Sequence, residues 1–330
     1  MTKLCAGLVA LLTGAALFVL YVGHLGSGRS PVLVEIPSGL TAVETGEVLQ
    51  EKGLIASSFL FHIAAKFTGY DRKLKPGKYL MVPGTPILKS LRILKAGSNT
   101  EVKVSIPEGF SVRQIAERLE AAGVCKAAAF EKYAQENRLE GYLFPATYQF
   151  EPQSLPEKAA SRMRVEFKRQ VEPAYEAAKD RPQLTLQQTV TLASIVQREA
   201  VLSVERPIIA AVYLNRMRKR MMLEADPTVQ YALGRWKKGL TLTDLKDSSP
   251  YNTYTHYGLP PGPICSPGLE SILGVLHPAK TSALFFVADM KGGHNFTNTI
   301  EEHLKAKGEF KRGLRAQKEK LRREGAAKRD

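Results

Sequence analysis

The first pattern along the chain is a run of twenty uncharged, mostly apolar residues, Leu4 to Gly23 (LCAGLVALLTGAALFVLYVG). Wound as a helix at about 1.5 Å per residue, the run would reach roughly 30 Å, the thickness of a bilayer's hydrocarbon layer. A cleaved signal peptide would carry a shorter apolar segment ending in an A-x-A-like site. Here Phe18 to Val22 continue the run with no small-x-small step. The pattern predicts an uncleaved single-pass anchor in residues 1–23. Lys3 and Arg29 sit on opposite flanks and give a weak orientation signal. The expectation is an inner-membrane protein with the bulk of the chain outside the cytoplasm. Gly23 to Ser30 (GHLGSGRS) reads as a flexible linker leaving the membrane.

The pattern then repeats itself. V-E-I-P-S-G at Val34 to Gly39 returns as V-S-I-P-E-G at Val104 to Gly109, seventy positions later. The same offset carries Leu49 onto Leu119, Gly53 onto Gly123 and Leu54 onto Val124, and an offset of 69 carries Tyr79 onto Tyr148. Each unit reads as strand, turn, helix, helix, strand. Val32 to Ile36 alternates as a strand does, and Pro-x-Gly breaks it. Thr41 to Lys52 is a helix stopped by Gly53, and Ser57 or Ser58 caps a second one running towards Phe67. Gly77 to Val82 closes the unit. In the second unit the helices fall at Ser111 to Ala122 and near Ala127 to Asn137. Such β-α-α-β units resemble LysM-type modules, which bind glycan backbones; as plain spacers they would need the same Ile, Leu and Gly positions. The aromatic stretch Glu140 to Phe150 offers Tyr142, Phe144 and Tyr148 either as the lining of a carbohydrate groove or as a wedge between domains.

Beyond the repeats, Glu157 to Lys179 reads as an amphipathic helix ending before Pro182. Leu184 to Ala200 follows as another, with Leu192, Ile195, Val196 and Glu199 on one face at i, i+3, i+4 and i+7. Glu199 thus extends an apolar stripe. A carboxylate placed there loses hydration, which raises its pKa and suits a general acid. The plain alternative is a buried structural Glu paired with a basic residue such as Arg206. Ser203 to Met217 forms the next helix, with Val212, Leu214 and Met217 inward.

Composition narrows the field. Hydrophobic content of 44%, charged content of 24% and a mean hydropathy of −0.17 over 330 residues exclude a largely disordered chain and a polytopic membrane protein. Three cysteines exclude a disulfide-built scaffold, and Cys125 and Cys265 read as two buried free thiols. The net charge of +15 invites a nucleic-acid reading, but the segment from His303 onward alone supplies +7. A lysine-rich, aromatic-poor tail is a solvated helix or a frayed end, and no nucleic-acid-binding motif accompanies it. The histidines show no metal-ligand spacing, so neither a metal nor a cofactor is expected.

The loops after Glu199 are dense in glycine, proline, polar and aromatic residues, and read as groove walls. ASIVQREA, NRM, DPTVQYALG, SPYNTY, GLPPGPI, SPG, HPAK, LFFVAD and GGHNF occur in this order over residues 184–300. Together with the anchor and the LysM-like region, they resemble the MltG (YceG-like) family of endolytic murein transglycosylases. The resemblance implies cleavage of MurNAc–GlcNAc β-1,4 bonds within glycan strands, leaving 1,6-anhydro-MurNAc ends. It places the family's catalytic Glu at Glu199. Many members carry a second Glu where this chain has Gln197, which leaves Glu199 as the sole candidate. Asp226, Asn252 and Tyr254 are expected to orient the sugar or its N-acetyl group.

The organisation so expected is α+β. It comprises the anchor (1–23), linker (24–31), LysM-like units (32–100 and 101–155), a mostly helical α+β catalytic domain (156–310) and a basic tail (311–330). Expected partners are glycan strands, the membrane and, through the family, peptidoglycan synthase complexes, with no nucleic acid. Two rival readings stand beside it: a non-enzymatic wall-binding scaffold, and a muramidase that uses water with Asp226 as its second carboxylate.

Overall fold

The computed structural model describes residues 30–97, 101–237 and 239–327, with side chains to residue 319. The anchor expected over 1–23 and most of the linker lie outside the described residues. Among those described, no helix is long and apolar enough to cross a membrane. The fold is α+β and divides into two compact units, one up to Val102 and one from Lys103 onward.

The first unit runs β1 (Val32–Ile36), α1 (Ala42–Glu51), α2 (Ser58–Phe67), β2 (Gly77–Met81) and α3 (Ile87–Ala96). β1 and β2 pair antiparallel, with Val32 opposite Met81 and Ile36 opposite Gly77. Alternation puts Val34, Ile36, Tyr79 and Met81 inside, against Leu49, Leu54, Phe61, Leu91 and Leu94. The unit therefore builds its own core. Helix α3 was not anticipated; it starts at Pro86 and buries Leu91 and Leu94 against the same cluster.

The same topology recurs as β3 (Val102–Ser105), α4 (Val112–Ala121), α5 (Ala127–Glu136) and β4 (Thr147–Phe150), with β3 and β4 hydrogen-bonded. The correspondence reaches single hydrogen bonds. Thr41 and Glu44 form a capping box on α1, and Ser111 and Gln114 form one on α4. Gly53 and Gly123 leave those helices at φ +65° and +71°, a conformation that costs glycine little. Leu54 N donates to Leu49 O and Val124 N to Leu119 O, each at 2.9 Å. The Tyr79 hydroxyl donates to Lys75 O at 2.5 Å, and the Tyr148 hydroxyl to Phe144 O at 2.6 Å. The aromatic exit from this unit forms a wedge: Tyr142 packs edge-on against Phe167 at 5.0 Å, and Phe144 is buried. Tyr142 is half-buried and also lines a cavity of about 1160 Å³, so the groove reading stands beside the wedge.

The remainder of the second unit comprises α6 (Pro156–Ala177), α7 (Leu186–Glu199), a 3₁₀ turn (Ser203–Glu205), α8 (Arg206–Arg218), α9 (Asp226–Ala232), α10 (Leu269–Leu276), the β5–β6 hairpin (Phe285–Ala288, His294–Thr297) and α11 (Ile300–Ala327). Thr185 caps α7 in another capping box with Gln188. From Thr189 to Val196 every residue of α7 is buried, so this helix is the spine of the core. The inward set expected on α8 is incomplete: Val212 is buried and Leu214 and Met217 are half-buried against the core, but Tyr213, Asn215 and Arg216 are buried as well. A helix wrapped on nearly all sides has no single apolar face for the pattern to reveal.

The Pro-x-Gly turn before α4 is tied to α7 and α8. Gly109 N donates to Ser266 O and Ser266 N to Phe110 O, both at 2.8 Å. Glu108 accepts from Gln197 Nε2 at 3.2 Å and lies 3.5 Å from the Arg206 guanidinium. The Glu108 carboxylate lies over Gly268, where an added Cβ would make it shift. Arg206 thus partners Glu108, which sets aside its pairing with Glu199. Cys125 and Cys265 are both free, half-buried and buried respectively.

Candidate active site

Glu199 is the last residue of α7, where the helix leaves the core. It opens into a cavity of about 350 Å³ lined by Tyr213 and Arg216 of α8, Leu223, Glu224 and Asp226, Tyr254, Phe286 and Val287 of β5, and His303 and Lys307 of α11. The hydroxyl of buried Tyr213 donates to Glu199 Oε1 at 3.0 Å. One carboxyl oxygen is thereby held while the other is left for chemistry. Burial pushes the Glu199 carboxyl up to about 7; the Tyr213 hydrogen bond opposes the shift, the Asp226 charge adds to it, and Arg198 and Arg216 oppose it. The group therefore holds a substantial protonated fraction near neutral pH, as a general acid must.

The far wall is made by two of the sequence motifs locked together. Ala225 N donates to Thr253 Oγ1 at 3.0 Å, and the Thr228 and Thr253 hydroxyls lie 2.9 Å apart in a buried pair. This fixes DPT against NTY. At its open end the Tyr254 hydroxyl donates to Asp226 Oδ1 at 2.6 Å. Arg216 sits behind this wall. Its Nε donates to Leu284 O at 2.7 Å, and its Nη1 to Leu223 O at 2.9 Å and to Glu224 Oε2 at 3.1 Å. One guanidinium so holds the segment before α9 to the segment before β5. Glu224, on the same wall, has φ +50°, a left-handed conformation that a non-glycine residue holds only when its surroundings impose it.

The other wall is the β5–β6 hairpin. Phe286 packs edge-on against Tyr213 at 5.8 Å and against His294 at 5.3 Å. The Glu205 carboxylate anchors the hairpin by accepting from His294 N at 2.8 Å and meeting His294 Nδ1 at 2.7 Å.

The model of the YceG-like family matches residues 34–309. The chain belongs to the YceG-like family. It is 31% identical to a Bacillus subtilis protein named endolytic murein transglycosylase, over 86% of this chain and 85% of the relative. A Streptococcus pneumoniae protein of the same name is 30% identical over 84% of this chain, which spans only 58% of that longer relative. A crystal structure of a yceG-like protein from Listeria monocytogenes matches 84% of this chain and 98% of its own, at 31% identity and a TM-score of 0.57.

Within this YceG-like chain, Glu199, Asp226 and Tyr254 are brought into one cavity, as the sequence reading expected. Asn252 is not. It is fully buried; its Nδ2 donates to Leu245 O and Asp247 O at 3.1 and 2.6 Å, and its Oδ1 accepts from Tyr254 N at 2.9 Å. The amide is spent pinning the loop, so Asn252 is corrected from a sugar ligand to a loop anchor. Gln197 is likewise structural: its Oε1 accepts from Gly268 N at 3.0 Å and Ser271 Oγ at 2.7 Å. Of the loops read as groove walls, Tyr251 and Pro261 to Pro263 line the cavity of about 1160 Å³, whereas Ile264 is framework: its N donates to Ser194 Oγ at 3.0 Å and ties GLPPGPI to α7. Tyr213, Arg216 and Phe286 were missed as site residues.

Proposed function

We propose that this protein is a membrane-anchored lytic transglycosylase, a carbon–oxygen lyase that cuts MurNAc–GlcNAc β-1,4 bonds within nascent glycan strands. The observation that carries the reading is Glu199: a buried-edge carboxyl, shifted up to about 7, facing an open cavity with one oxygen held by Tyr213. Relatives from two organisms bear the name endolytic murein transglycosylase, which supports the same substrate.

In this reading Glu199 protonates the glycosidic oxygen as the C1–O bond breaks, releasing the GlcNAc hydroxyl. The C6 hydroxyl of the same MurNAc attacks C1, and its proton passes to the Glu199 carboxylate. The acid is regenerated, a 1,6-anhydro ring closes, and no water is consumed. One carboxyl group serves both steps. Asp226 and Tyr254, hydrogen-bonded to each other on the opposite wall, orient the sugar or its N-acetyl group. Partners under this reading are the glycan strand, the membrane through residues 4–23, and peptidoglycan synthase complexes.

Asp226 in the same cavity favours a second reading, hydrolysis by water with a second carboxylate. Digestion of purified glycan strands in ¹⁸O-water separates the two. Anhydro ends without label support the lyase. Labelled reducing ends would establish the muramidase, and no new ends at all would leave the wall-binding scaffold.

A further inference from the structure

Helix α2 of the first unit exposes a stripe that its fold does not need. Phe59, Leu60, Ile63 and Phe67 are 69%, 37%, 46% and 93% exposed. At about 100° per residue they fall within an arc of roughly 100°. Phe61 and Ala65, on the opposite side, are buried in the core. The second repeat supplies an internal comparison. At an offset of 69, α5 keeps the inward pair as buried Phe130 and Ala134. Its outward positions are Ala128, Ala129, Lys132 and Glu136, and Lys132 pairs with Glu136 at 4.0 Å. Two copies of one fold thus share the core residues and differ on the outer face. The apolar stripe belongs to the copy nearer the Leu4–Gly23 run.

We propose that this face of α2 seats in the headgroup–acyl boundary of the membrane that anchors the chain. The proposal rests on the anchoring read above. Eight residues separate Gly23 from Val32, a tether of at most about 28 Å. That is about the diameter of a unit of this size, so the first unit stays at the bilayer surface whatever its orientation. Phenylalanines flanked by lysine are the side chains of an interfacial helix. Lys66 borders the stripe on α2, and exposed Lys89, Arg92 and Lys95 lie on α3, which packs against it. They complement an anionic leaflet. A soluble spacer would have no reason to leave two phenylalanines in water.

The test uses the full chain reconstituted in vesicles of phosphatidylethanolamine and phosphatidylglycerol at about 7:3. Phe67→Cys and Glu136→Cys, each in a Cys5→Ser, Cys125→Ser background, carry an environment-sensitive NBD probe; Cys265 is buried. The expected result is a blue-shifted probe at 67, quenched by nitroxide lipids and shielded from aqueous iodide, with the reverse at 136. Adding Phe59→Lys and Ile63→Lys should return the probe at 67 to water. A probe at 67 as open to iodide as that at 136 overturns the proposal. So does one shielded from iodide but untouched by nitroxide lipid, because a protein surface then covers the stripe. Flotation of the vesicles reads the anchor separately: a chain that fails to float refutes the anchoring and this proposal together, whereas a floating chain with an aqueous probe refutes this proposal alone.

Discussion

Glu199→Gln should stabilise the protein by an amount that is nil below about pH 4.5, grows from there to about pH 7 and is full above it. Burial holds Glu199 at about 7 against 4.5 for the free side chain. The folded chain therefore binds this proton more tightly than the unfolded chain does. Between about 4.5 and 7 the native state carries more protons, so stability falls as pH rises through that window; below it both states are protonated and the difference vanishes. At about 1.36 kcal/mol per unit, the full shift amounts to roughly 3 kcal/mol. Part of the side chain faces cavity water, which reduces the expected gain to about 1–3 kcal/mol. Gln keeps the shape, still accepts from Tyr213, and carries no charge to desolvate. For a unit of this size about 1 kcal/mol moves Tm by 2–4 °C. Thermal unfolding at pH 8 should show Tm higher by about 3–8 °C in the variant, and no difference at pH 4. A variant equal to or below wild type at pH 8, or offset equally at both values, would refute the burial argument.

Other consequences follow from single contacts. Tyr213→Phe removes the hydrogen bond that opposes the shift of Glu199, so the alkaline limb of the pH–rate profile should move up by about 1 unit; an unmoved limb contradicts the pairing. Asn252→Ala frees two partly buried carbonyls and one amide N–H and should cost about 2–4 kcal/mol by chemical denaturation, whereas a ligand role alone would cost activity without stability. Gln197→Glu sets a carboxylate against Glu108 and ends the amide's donation to it; the variant should unfold at lower denaturant at pH 8, with the loss relieved at pH 4.

Much of the scaffold was legible because local chemistry dictates it. The seventy-residue echo named both β-α-α-β units down to Gly53 and Gly123, since a helix end that must turn left-handed writes a glycine into the sequence. Glu199 was legible because a carboxylate there extends an apolar stripe. Tyr213 and Arg216 were not, because α8 is buried around most of its circumference and no periodicity separates a core-filling side from a site-facing side. Asn252 was misread for a related reason. A loop amide that pins carbonyls and one that binds sugar look identical until its partners are known. The exposed stripe on α2 was hidden in the opposite way. Phe59 and Phe61 are neighbours of one type in the chain, and only the packing assigns one to solvent and the other to the core.

The central claim is that one carboxyl group at residue 199 supplies both proton transfers. It is tested most directly by comparing wild type and Glu199→Gln on purified glycan strands, with 1,6-anhydro-MurNAc ends counted by mass spectrometry. The account predicts that the folded variant releases anhydro ends about 10²–10⁴-fold more slowly than wild type. A folded Glu199→Gln protein that forms them at near wild-type rate would contradict it.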